Sequence, residues 1–79
     1  GDFQQAEVLF KQAIKVGNIP NAYYGLAFLY RMAGEFEASK GVLETMFVRI
    51  PQESLTKEHA AIYTEARNLY REVSKDKKN

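Results

Sequence analysis

The sequence contains no cysteine and no tryptophan, one histidine and only two prolines. Without cysteine no disulfide can staple the chain, and no thiolate can hold a metal or attack a substrate. His59 alone cannot build a histidine cage for a metal. No apolar run approaches the roughly 20 residues that a membrane-spanning helix needs, so no membrane insertion is expected. Charge of neither sign dominates: 11 Lys and Arg face 10 Asp and Glu, for a net charge of +1. That balance supplies no basic field for phosphates, and nucleic acid is not an expected partner. The five glycines are scattered and build no phosphate-binding loop. Nothing in the composition selects a compartment.

What remains is one small domain of 79 residues. A core of this size rarely supplies more than about 3–5 kcal/mol unaided. With disulfides and metals excluded, stability must come from close packing or from burial against further protein.

Pro20 and Pro51 divide the chain into three stretches, each with helical rather than alternating periodicity. In the first, residues 2–16, Phe3, Ala6, Phe10, Ala13 and Ile14 draw an apolar stripe, widened by Val8, Leu9 and Val16. Asp2 favours its start, and Gly17-Asn18 its end. The second, residues 21–50, reads as two helices. Asn21 is a candidate N-cap, Tyr23, Leu26, Ala27 and Tyr30 form an inner face, and Gly34 breaks the run. Phe36, Ser39, Leu43 and Met46 then continue the stripe until Pro51 stops it. The third runs from about residue 55 to 75, with Ser54 or Thr56 as N-cap and Ile62, Tyr63, Ala66, Leu69, Tyr70 and Val73 as its apolar face. Residues 76–79 carry no apolar anchor and are expected to be a disordered, solvated tail. The fold class expected is therefore all-α, with about four helices.

Internal repetition is the strongest signal. Gly1-Asp2-Phe3-Gln4-Gln5-Ala6 returns as Gly34-Glu35-Phe36-Glu37-Ala38-Ser39, 33 positions later. In both copies an apolar residue follows the small one by four (Phe10, Leu43), and another comes three later (Ala13, Met46). Tyr23, Leu26 and Tyr30 are echoed by Tyr63, Ala66 and Tyr70, 40 positions later. Tyr23, Leu26, Ala27, Tyr30, Gly34-Glu35-Phe36, Ser39, Leu43, Met46 and Pro51 together resemble the tetratricopeptide repeat. The resemblance implies antiparallel helix-turn-helix repeats stacked as a short α-solenoid. Residues 21–51 are then one full repeat, and residues 1–20 the second half of a preceding one. Residues 55–75 are either the first helix of a following repeat or the helix that caps such arrays. Ser39 and Met46 stand where that family usually has alanine, and the 40-residue echo makes residues 52–58 an insertion or an extended helix start.

The resemblance also implies where a partner would bind. In that family the first helices of successive repeats line a concave groove. The matching positions are Asn21, Tyr24, Phe28, Arg31 and Met32 on one helix, and Thr64, Asn68 and Arg71 on the next. Some members clamp a peptide carboxylate with Lys, Asn and Arg in this groove. Tyr24 and Phe28 occupy those places here and suit an apolar or aromatic anchor, in an extended peptide or an amphipathic helix. Arg31 and Arg71 are candidates to pair acidic groups at the rim. The expected activity is non-catalytic protein binding, with no cofactor. The alternative is a structural role in a larger assembly. A repeat buries its faces only against neighbours, and the helix carrying Phe3 and Phe10 has no predecessor. Either a longer array covers that side, or a second copy does, through Phe3 and Phe10.

Catalysis has little support. Ser39, Ser54 and Ser74 are the hydroxyl candidates, and each reads as structural. His59 with Glu58 and Glu65 is the only acid–base grouping, at an exposed helix start.

Overall fold

The computed structural model describes residues 2–78, with side chains through residue 75. Gly1 and Asn79 lie outside the described residues, so the first glycine of the repeated motif and the last residue of the expected tail are not placed. Four α-helices follow one another: α1 (Asp2–Gly17), α2 (Pro20–Met32), α3 (Phe36–Arg49) and α4 (Lys57–Lys78). A 3-10 turn, Gln52–Ser54, joins α3 to α4, and no strand occurs among the described residues. The all-α fold class holds. Helix α4 runs on to Lys78, into the stretch expected to be a tail.

The ends of the helices follow backbone chemistry. Asn18, at φ 50, adopts the left-handed conformation, and its N–H bonds the Ile14 carbonyl at 2.9 Å. That closes α1 with the single back-bond of a left-handed cap. Gly34, at φ 79, ends α2 more elaborately. Its N–H bonds the Arg31 carbonyl at 3.0 Å while Glu35 N–H bonds the Tyr30 carbonyl at 2.9 Å. This pair is the Schellman motif, and glycine meets its positive φ without a Cβ clash.

Asn21 does not cap α2. The helix begins two residues earlier than such a cap implies, at Pro20, with Ile19 in extended conformation before it. Proline's fixed φ and missing N–H suit the first helical position, so the ring displaces the expected cap. Neither Ser54 nor Thr56 acts through its side chain as the N-cap of α4. Ser54 Oγ bonds the Pro51 carbonyl at 2.8 Å, and Thr56 receives the first N–H groups of the helix on its backbone oxygen.

Helix α2 is the centre of the molecule and packs on all three others. The core joins Tyr23 and Ala27 of α2, Leu43 and Met46 of α3, Ile50, and Tyr63, Ala66, Leu69 and Val73 of α4. Ser39 is the one buried polar side chain among the described residues. Its hydroxyl donates to the Ala27 carbonyl at 2.7 Å. Helix α1 packs principally on α2 and contributes no fully buried residue.

Helices α2 and α4 lie side by side and run in the same direction. Pro20 and His59 share a depression near their N-terminal ends, and Arg31 pairs with Glu72 farther along. That register matches the 40-residue echo between Tyr23 and Tyr63.

Candidate interaction surface

Two faces of α2 differ sharply. Pro20, Ala22, Tyr23, Leu26, Ala27 and Tyr30 are buried against its neighbours. On the opposite side, Asn21, Phe28 and Met32 reach solvent, at steps of seven and four that keep them on one face. Phe28 is 40% exposed and Met32 68%. Tyr24 lies at the edge, half-buried against the core, and its ring stacks on Phe28 with centroids 6.1 Å apart. Thr64 and Asn68 are exposed on α4. Thr64 bonds the Ala60 carbonyl of its own helix at 3.3 Å and leaves the face in place.

Two of the expected positions are arranged differently. Arg31 is not a free rim charge: its guanidinium pairs with Glu72, tying α2 to α4. Arg71 does not join Arg31. It lines a depression between α3 and α4 with Phe47, Arg67, Tyr70 and Ser74. The two environments lie on different sides of α4, because positions 71 and 72 differ by about 100° on a helix. The expected surface is therefore apolar and aromatic on α2, while its expected cations point elsewhere.

Phe3 and Phe10 also turn inward. Phe3 meets the Tyr30 ring, with centroids 6.2 Å apart. Phe10 lies over Gly25, so closely that a Cβ there would come within 2.5 Å of the ring. Both rings are half-buried against α2 rather than bare. The apolar residues left open on α1 are Val8, Leu9 and Val16, the last 88% exposed. Val8 and Leu9 line a shallow depression with Asp2, Gln4 and Gln5. In the sequence the apolar stripe of α1 is wide enough for two faces, and periodicity alone does not say which half meets α2.

Two tyrosines fasten helix to helix in the same way. Tyr30 Oη donates to the Glu7 carboxylate of α1 at 2.5 Å, and Tyr70 Oη donates to Glu44 of α3 at 2.8 Å. The Tyr30 bond holds Glu7 below its ordinary carboxylate range, with Lys11 assisting against partial desolvation. Burial, then the bond to Glu7, raises Tyr30 above its ordinary value. Tyr70 is raised chiefly by its bond to Glu44.

The residues considered for catalysis are separate. Ser39 is buried on the Ala27 carbonyl, Ser54 bonds Pro51, and His59 lines the depression beside Pro20 and Ile50. No group of His, Asp and Glu among the described residues could hold a metal ion. No described helix is long and apolar enough to cross a membrane.

The chain matches no protein-family model, no characterised protein and no solved structure with which it was compared.

Proposed function

We propose that this chain is a non-catalytic protein-interaction module that seats an apolar segment of a partner, an extended peptide or an amphipathic helix, on the open face of α2 beside α4. The observation that carries this reading is the exposed set Phe28 and Met32, backed by Tyr24, on a helix whose opposite face is wholly built into the core. Aromatic and methionine side chains are enriched at the centres of interfaces, where they bury much area for few rotors. Neighbouring Asn21, Thr64 and Asn68 would supply polar contacts at its edge.

The tetratricopeptide likeness supports the same reading. Tyr30 and Tyr70 stand at corresponding places of the 40-residue echo and each bonds a glutamate of the helix before its own, although Glu7 and Glu44 are 37 positions apart, and α2 and α4 run in one direction as successive first helices of such repeats would. Selection of peptides from a displayed random library tests the proposal. Peptides with aromatic or apolar anchors should be enriched, and Phe28→Asp should abolish their binding. Selected peptides that bind Phe28→Asp as well as the parent would overturn it.

A second reading, self-association in a larger assembly, is favoured by the exposure of Val8, Leu9 and Val16 on α1. Light scattering over a concentration series separates the two. A dimer that Leu9→Asp dissociates supports assembly, and a monomer at every concentration removes it.

A further inference from the structure

Helix α4 carries its charges in separate lines. Glu58, Glu65 and Glu72 recur at steps of seven, along the side that meets α2 through the Arg31–Glu72 pair. Arg67, Arg71 and Lys75 recur at steps of four, and the first two lie on the side toward α3. Among the described residues none of these three cations has a carboxylate partner. The Arg67 guanidinium bonds the neutral amide oxygen of Gln52 and lies over the Tyr63 ring, 5.7 Å from its centroid. Arg71 is exposed and makes no hydrogen bond or ion pair among the described residues. Ser74 Oγ is shut from solvent, and the Tyr70 hydroxyl lies beside it.

These groups converge on one feature. Arg67, Arg71 and Ser74 rim a depression of about 320 Å³ with aromatic walls from Phe47 and Tyr70. The two rings are set edge to face, with centroids 5.6 Å apart, and the bond from Tyr70 to Glu44 fixes the second. The site is thus pre-organised: a rigid aromatic pair, two guanidinium forks one helical turn apart, and a buried hydroxyl beside them. Arg67 also stands 40 positions after Ala27, the small residue that lets α3 approach α2. An arginine there does not let a helix come as close as α3 comes to α2, which suits the face to a thinner ligand.

We propose that this α3–α4 depression is a second docking site, separate from the α2 face, for an acidic peptide segment. Carboxylates of the segment pair with Arg67 and Arg71, whose planar forks match them bidentately. An apolar or aromatic side chain between those carboxylates enters against Phe47 and Tyr70. A peptide fits better than a nucleic acid. Two arginines, with the Glu44 carboxylate close by on the Tyr70 hydroxyl, in a chain of net charge +1, make a local pair of anchors rather than the extended field that phosphates need.

Fluorescence anisotropy with a labelled pentapeptide, a phenylalanine flanked on each side by two glutamates, tests this at low salt. Saturable binding is expected, weakened about tenfold by Arg71→Gln. Phe28→Asp should leave it unchanged. The same peptide with lysine for glutamate should not bind. Arg71 is exposed, so its substitution should leave the helical circular dichroism intact. Absence of saturable binding overturns the proposal, as does binding indifferent to Arg71→Gln. Loss on Phe28→Asp would move the peptide to the α2 face and overturn the second site while sparing the first. Tighter binding of a single-stranded oligonucleotide or an anionic vesicle to the same arginines would overturn the assignment to a peptide.

Discussion

Ser39 Oγ and the Ala27 carbonyl meet at 2.7 Å where α3 crosses α2. A residue fully buried at this crossing must be small, and a polar one must find a partner inside the protein. Serine does both. The carbonyl lies within α2, where the helical ladder already supplies a donor. Ser39→Ala should therefore cost only about 0.5–1.5 kcal/mol in urea unfolding. Ser39→Leu forces the helices apart and should cost more, about 1–3 kcal/mol. Equal losses for the two variants would contradict this account of the crossing.

Gly25 and Phe10 set the distance between α1 and α2. A methyl at position 25 would meet Phe10 Cε1 at 2.5 Å and Cζ at 2.6 Å. Alanine is the better helix former by about 1 kcal/mol, yet Gly25→Ala should destabilise the fold because the ring must leave its seat. Phe10→Leu combined with Gly25→Ala should recover part of the loss. A double-mutant cycle by thermal unfolding measures that coupling, and strict additivity would refute the contact.

Stability should fall at both ends of the pH scale. Glu7 has a lowered value in the folded state, so its contribution is present above the unfolded carboxylate value of about 4.3 and is lost as pH falls through the folded value. Tyr30 and Tyr70 are raised, so theirs are present below the unfolded tyrosine value of about 10 and are lost as pH rises through the folded values. In melting curves across pH, Glu7→Gln should flatten the acid limb. Tyr30→Phe should flatten part of the alkaline limb and leave the part due to Tyr70. An alkaline limb unchanged in the double variant Tyr30→Phe, Tyr70→Phe would rule the tyrosines out.

Helix α1 should open before the rest. It buries no residue completely and packs principally on α2, whereas Leu43, Met46, Ala66 and Val73 are sealed in the core. Native-state hydrogen exchange should show α1 amides exchanging by a local opening, below the free energy of global unfolding. Protection of residues 8–16 equal to that of residues 63–73 would contradict this. Binding of any partner across Val8, Leu9 and Val16 should slow that exchange selectively.

Much of the architecture was legible because it is local. Periodicity placed four helices, Pro51 ended α3, and Gly34 and Asn18 supplied the left-handed caps, since only backbone sterics and hydrogen-bond bookkeeping are involved. The buried faces of α2 and α4 could be read from Tyr23, Ala27, Tyr63 and Ala66. The start of α2 was misjudged by two residues, the cap falling at Ile19 instead of Asn21, because Pro20 takes the first helical position through its fixed φ.

The interaction surface was legible only in part. Phe28 and Met32 could be placed on an open face by spacing, but the fate of a charge depends on what another helix brings to it. Arg31 finds Glu72 from 41 positions away, and Arg71 falls on the far side of α4 beside Phe47. Arg67 and its depression were missed altogether, although its place 40 positions after Ala27 and its spacing to Arg71 and Lys75 were signals in the sequence. By itself the sequence determined the helices, their ends and their apolar stripes, which arise from interactions within a few residues along the chain. Only the tertiary structure decided which half of the α1 stripe is covered, which arginines are paired and where the open surfaces lie, because those depend on contacts between residues that the sequence holds far apart.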